Sequence, residues 1–214
     1  MIVQQIMSHK PYTVRPDTSV TDAQALIRRE KIHRLPVLDR HNKLVGIVSE
    51  KDLLYASPSP ATSLSVYEMA DLLSKLKVEK VMTKKVITVA EDTLVEDAAR
   101  ILVDNNIGGV PVMTGERLTG IVTESDIFKL FIELFGTRRK GIRATLLLPD
   151  EVGEIGKVGS AVAEAGGNII SVGTFPGEDA SNALCTLKVD AIDKATFLEA
   201  IQPVVIEIID IREV

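Results

Sequence analysis

Two short phrases carry most of the polar chemistry in this chain: GIVSEKDL from Gly46 to Leu53, and GIVTESDI from Gly120 to Ile127. In each, a hydroxyl residue is followed three positions later by an aspartate, Ser49 by Asp52 and Thr123 by Asp126. That spacing is the capping pattern of a helix start. It also places a carboxylate beside the unpaired amides and partial positive charge of a helix N-terminus, where a polar ligand can be held. Gly46 and Gly120 permit close approach to the strand before the cap. A helix cap accounts for one copy; two copies in one chain ask for more.

Other residues offer little reactive chemistry. The single cysteine, Cys185, has no partner for a disulfide or a thiolate metal site, and its neighbours Ala183, Leu184, Leu187 and Val189 mark a buried strand. The three histidines, His9, His33 and His41, form no nucleophile–base set and no metal cluster. No catalytic residue and no metal ligand is assigned.

The phrases belong to a longer internal repeat. An offset of 75 lays VQQIMSHKPYTVRPDTSVTDA from Val3 on VEKVMTKKVITVAEDTLVEDA from Val78, and HRLPV from His33 on GGVPV from Gly108; the offset is 74 at the phrases. Each unit reads as a short strand ending in Thr-Val and a helix starting at Asp-Thr with apolar residues at helical spacing (Val20, Ala23, Leu26, Ile27; Val95, Ala98, Ile101, Leu102). A Pro-Val strand, a turn, a Gly-Ile-Val strand and a closing helix complete a βαββα unit. A unit of about 55 residues buries little core alone, so the two copies are expected to pack together.

The repeats divide the chain into residues 1–56 and 78–135, with SPSPATS and a helical segment near Leu64 to Leu76 filling 57–77. Residues 136–141, GTRRKG, read as a polar hinge. Residues 142–214 follow the order βαββαβ, a ferredoxin-like pattern, with Gly166 and Gly167 ending one helix and Asp193 capping the next. The fold class is α+β.

Composition bounds the partners. Across 214 residues the formal charge is −5, which argues against nucleic acid. No stretch has the roughly 18 apolar residues of a membrane span, and MIVQQIMSHKP lacks a signal pattern, so a cytoplasmic location is the default.

The repeated Thr-Val, HRLPV or GGVPV, and GIV-[ST]-x-x-D elements resemble a tandem pair of CBS domains, the Bateman module, over residues 1 to 135. VGEIGKVGSAVAEAGGNIISV resembles an ACT domain over 142–214. A CBS pair followed by ACT is similar to the acetoin-utilisation AcuB family. The resemblance implies a regulatory ligand carrying adenosine, AMP, ADP, ATP or S-adenosylmethionine, and no required cofactor. Ser49 and Asp52 in one cleft and Thr123 and Asp126 in the other would contact ribose. Adenine would be lined by Thr13, Val14, Leu35, Pro36 and Val37, and by Thr88, Val89, Val110, Pro111 and Val112. ACT domains often take an amino acid near the first strand-to-helix loop, here Asp150, Val152 and Gly153, with Asn168 another matching position; Val152 replaces a proline common in the family.

The repeats differ where a phosphate would sit. His33-Arg34 can hold one, while Gly108-Gly109 supply no side-chain charge. In the family such residues reach across to the other repeat, so the Thr123–Asp126 cleft is expected to take a phosphorylated ligand better.

The helix SDIFKLFIELFG carries Phe128, Phe131 and Phe135 and is apolar on most faces, which predicts burial from more than one side and a homodimer. Three function classes follow: a non-enzymatic ligand sensor acting on an unidentified regulated protein, an assembly scaffold with vestigial sites, and a regulatory fragment related to IMP dehydrogenase. The absence of a nucleophile–base set favours the first over the third.

Overall fold

The computed structural model describes residues 1–56 and 74–214, so the Pro/Ser linker and most of the helical segment expected after it lie outside the described residues. The chain forms two compact units, Met1–Ile127 and Phe128–Val214. The division falls short of Phe135, where the repeat pattern ends.

In the first unit, the first repeat contributes β1 (Ser8–His9), α1 (Val20–Glu30), β2 (Arg34–Leu38), β3 (Leu44–Ser49) and α2 (Glu50–Tyr55). The second contributes β4 (Val89–Ala90), α3 (Val95–Asp104), β5 (Gly109–Thr114), β6 (Arg117–Thr123) and α4 (Glu124–Leu134). Both helices after the first strand bury the expected stripe: Val20, Ala23 and Ile27 on α1, Val95, Ala98 and Leu102 on α3. Their starts lie one residue beyond the Asp-Thr pairs, at Ser19 and Leu94. The threonines do other work, Thr18 Oγ1 accepting from the Arg15 amide at 3.0 Å and Thr93 Oγ1 from the Ala90 amide at 3.1 Å, which closes the turn ahead of each helix.

The first strand of each repeat splits between the two copies. Val14 bridges Val37 of its own repeat, and Val89 pairs with Val112 of its own. The preceding residues cross over: β1 pairs with β6 through Ser8–Ile121 and His9–Gly120, and Thr83 bridges Ile47 in return. The core is exchanged too. Val3 and Met7 sit with Val89, Ala98, Leu102, Val110, Val112 and Val122, while Val78 sits with Val14, Val20, Leu35, Val37 and Val48. The Val3 amide donates to the Thr93 carbonyl at 2.8 Å, and the Val78 amide to the Thr18 carbonyl at 2.9 Å. Neither repeat completes its own core, which is how two small units bury enough apolar surface to fold.

The second unit is β7 (Ile142–Pro149), α5 (Glu154–Glu164), β8 (Asn168–Pro176), β9 (Asn182–Asp190), α6 (Lys194–Ile201) and β10 (Glu207–Glu213), the βαββαβ order read from sequence. Its antiparallel sheet runs β10-β7-β9-β8. Alternate residues Ile142, Ala144, Leu146 and Leu148 join Cys185, Leu187 and Val189 against Val158 and Val162 of α5 and Phe197 and Ile201 of α6. Gly166 takes φ of 83° at the end of α5, and Asp193 accepts from the Ala195 and Thr196 amides at the start of α6.

Residues 136–141 are fastened to this unit, which a free hinge would not be. Gly136, at φ of 55°, ends α4, and its carbonyl accepts from the buried Lys188 ammonium at 2.9 Å. Arg139 pairs with Asp190 at 2.7 Å, and Gly141 exchanges backbone bonds with Val214. The apolar closing helix also differs from expectation: on α4, Asp126 is the buried residue, while Phe128, Phe131 and Leu134 are exposed.

Candidate functional site

Both phrases sit where strand becomes helix, and in both the cap has formed. The Ser49 hydroxyl donates to Asp52 Oδ2 at 2.6 Å, the Ser49 amide donates to the same oxygen at 2.8 Å, and the Asp52 amide donates back to Ser49 Oγ at 3.2 Å. In the second copy the Thr123 hydroxyl and amide donate to Asp126 Oδ2 at 2.7 and 3.0 Å. Two carboxylates are thereby fixed at matching positions. Asp52 is half-buried and Asp126 is buried, at 8% exposure, so the second is the better shielded from water. The helices differ as well, α2 being six residues long and α4 eleven.

The glycines that open the phrases have a specific neighbour. A Cβ on Gly46 would collide with the thioether of Met82, and one on Gly120 with that of Met7. Each methionine belongs to the crossing segment of the opposite repeat, so the exchange runs directly beneath both phrases.

The strands expected to line a base are paired within each repeat. Val14 donates to the Pro36 carbonyl at 3.1 Å and accepts from Leu38 at 2.9 Å; Leu35, Pro36 and Val37 are buried in β2. Val89 lies beside Val112, and Val110, Pro111 and Val112 are buried in β5. Thr13 is half-buried and Thr88 exposed at the strand edges.

Arg34 and His33 part company. Arg34 pairs with Ser49 in the β2–β3 ladder, as Gly109 pairs with Thr123 in the β5–β6 ladder. From there its side chain crosses to the second repeat: its guanidinium and the Glu124 carboxylate both lie in the space a Gly108 Cβ would fill, and its Cδ lies 3.2 Å from a Cβ on Gly109, beside the Thr123 methyl at 3.1 Å. Burial pushes the Arg34 pKa down, while the charges of Glu124 and then Asp52 hold it up. His33, in the bend just before β2, bonds through Nδ1 to Glu50 of its own repeat at 2.9 Å. Of the two side chains, Arg34 is the one that reaches the second repeat.

Glu50 and Glu124 were missed from the candidate residues. Each fills the position after the hydroxyl residue, where the capping pattern accepts anything; Glu50 bonds the His33 imidazole, and Glu124 lies near the Arg34 guanidinium. The signal was present: glutamate occupies that position in both copies.

In the second unit, Asp150, Val152 and Gly153 lie at the β7–α5 loop, and Gly153 adopts φ of 97°. Val152 is fully exposed, and the Asp150 amide donates to the Ser181 carbonyl at 2.9 Å. Asn168 does not join them. The register puts Pro149 opposite Asn182, but Asn168 opposite Asp190, at the far end of β9. Strands rise about 3.3 Å per residue, so the two places are roughly 20 Å or more apart. Asn168 instead donates to Asp190 at 2.8 Å. Cys185 is fully buried, and burial pushes its thiol pKa up, which suits a packing role. Among the described residues, no group of three or more His, Cys, Asp or Glu side chains is placed to hold a metal, and no helix is long and apolar enough to cross a membrane.

Three solved structures resemble this chain over about two thirds of its length. A CBS domain pair in complex with 5′-methylthioadenosine and S-adenosyl-L-methionine is 33% identical with a TM-score of 0.52, covering 65% of this chain and 98% of that one. CBSX2 in complex with AMP is 31% identical with a TM-score of 0.52, covering 64% and 98%. A putative acetoin utilization protein, AcuB, from Vibrio cholerae is 29% identical with a TM-score of 0.53, covering 64% and 95%. The CBS domain family model matches residues 3–59 and again 78–133. Together with the doubled caps and exchanged cores, these matches show that the chain belongs to the CBS domain family, as a tandem pair.

Proposed function

We propose that this chain is a non-enzymatic regulatory protein whose CBS pair senses an adenosyl ligand, AMP, ADP, ATP or S-adenosylmethionine, with the preferred site at Thr123 and Asp126. One observation carries the reading: the Arg34 side chain reaches Gly108, Gly109 and Thr123 of the second repeat, while Gly109, at the equivalent position there, has no side chain to reach back. The similar pairs solved with methylthioadenosine, S-adenosylmethionine and AMP support the ligand class. In this reading a ribose takes over Asp126 Oδ2 from the Thr123 hydroxyl, and the strands around Val89 and Pro111 receive the base.

The test is calorimetry of the four ligands against wild type, Asp126→Ala and Asp52→Ala. Loss is expected to be larger for Asp126→Ala. Equal loss would remove the preference for the second cleft, and absence of heat with every adenosyl compound would remove the sensor.

The C-terminal unit is proposed as an ACT-like module that dimerises or takes a second effector. Its sheet order and βαββαβ chain order support that assignment. The face of Phe128, Phe131 and Leu134 on α4, exposed among the described residues, supports a homodimer, and it favours the scaffold reading if no ligand binds. Light scattering that finds a monomer at micromolar concentration would overturn the dimer.

A further inference from the structure

We propose that Glu124 selects among adenosyl ligands by the charge on the 5′ carbon: its carboxylate lies in the same space as the Arg34 guanidinium, so a 5′-phosphate that reaches Arg34 meets a like charge, while a neutral or cationic 5′ group does not. The inference rests on the reading of the second phrase as an adenosyl site.

The geometry follows from the inequality of the repeats. In the first copy, Glu50 meets the imidazole of His33. In the second, Gly108 stands where His33 stood, and Glu124 shares the vacated space with Arg34. Asp52 also acts on Arg34 from its own repeat, and Asp126 stands in the same phrase as Glu124. The charge of Glu124, and after it that of Asp52, acts on this one guanidinium. A phosphate entering here gains Arg34 only by lying beside Glu124, a like-charge contact. A thioether meets no such opposition, and a sulfonium cation gains from the carboxylate.

The experiment measures AMP, 5′-methylthioadenosine and S-adenosylmethionine by calorimetry against wild type, Glu124→Gln, Arg34→Ala and the double variant. Glu124→Gln is expected to tighten AMP by about tenfold, the scale of one charge-assisted hydrogen bond. The same change should leave methylthioadenosine within about twofold and weaken S-adenosylmethionine, and the AMP gain should vanish in the Arg34→Ala background. Raised salt should shrink the discrimination, because Glu124 is exposed. Unchanged AMP affinity in Glu124→Gln, or equal shifts for AMP and methylthioadenosine, would overturn the selection while leaving the adenosyl site standing. No binding of any of the three to any variant would overturn the site itself.

Discussion

The exchange of N-terminal segments predicts different costs for adding one methyl group at two matched glycines. At Gly120 a Cβ would overlap the Met7 sulfur and come within 2.9 Å of its Cγ and 3.2 Å of its Cε; at Gly46 the corresponding distances to Met82 are 3.0 and 3.2 Å, again with the sulfur overlapped. The methionines differ in freedom. Met7 is 6% exposed and packed inside the second repeat's core, whereas Met82 is only partly buried at the edge of the first. Overpacking a closed core costs about 1–3 kcal/mol, and replacing glycine with alanine in compatible backbone recovers about 0.4–1 kcal/mol through the unfolded state. Gly120→Ala should therefore lose roughly 1–2 kcal/mol net, and Gly46→Ala should fall near zero as Met82 swings aside. Urea unfolding followed by circular dichroism reads both, with an unchanged slope against denaturant as the sign that only stability moved. The decisive arm is a cycle of Gly120→Ala with Met7→Ala: residues in contact should couple by about 0.5–3 kcal/mol, the second change relieving the first. Additivity of the two changes would mean that Met7 does not lie on Gly120, and the crossed-over segment would be wrong.

Other expectations concern the second unit and pH. Lys188→Met removes the donor to the Gly136 carbonyl and should cost about 1–3 kcal/mol in the same assay; a neutral result would show that water serves that carbonyl equally well. Cys185 should react with a thiol reagent only as fast as the chain unfolds, and immediate labelling in native buffer would contradict its burial. Asp190 is held below the usual carboxylate range first by Asn168 and also by Arg139, as Asp193 is by the Thr196 amide and Asp39 by the Lys43 amide. Because these folded values lie below the unfolded ones, their stabilisation is full above about pH 4 and is lost as pH falls through the folded values. Melting temperature should thus drop on acidification below about pH 4, less steeply in Asp190→Asn, and an identical slope in that variant would assign the loss elsewhere.

What the sequence made legible was local. Periodicity at Val20, Ala23 and Ile27 found the buried face of α1, and alternation at Ile142, Ala144 and Leu146 found the inner face of β7. The repeat alignment even matched Met7 with Met82 and Gly46 with Gly120. It could not show that each methionine lies on the other copy's glycine, because equivalent residues offer a core the same shape whichever copy supplies them. A similar gap hid the separation of Asn168 from Gly153, which depends on strand register rather than on spacing along the chain. The apolar count of α4 was legible and the surface that meets it was not, since hydrophobicity states a need for cover without saying what supplies it. Glu124 was overlooked because a capping pattern explains its neighbours without it.

The crossed-over segments bear on how a bound ligand would be read. If each repeat held its own core, stabilising the Thr123–Asp126 cleft would tighten only the second repeat. Here Val3 and Met7 arrive from the first repeat to build the second, and Val78 returns the debt. A ligand at about 100 times its dissociation constant adds about 2.7 kcal/mol to whatever unfolds with its site. In an exchanged pair that unit contains both repeats, so they should melt in one transition and shift together when the second cleft is filled. The 2.7 kcal/mol is still about half of the roughly 5.5 kcal/mol that would drive a two-state change from one extreme to the other. One occupied cleft would therefore grade the response of this pair, and a full switch would need differential binding at a second cleft, or in a second copy of the chain.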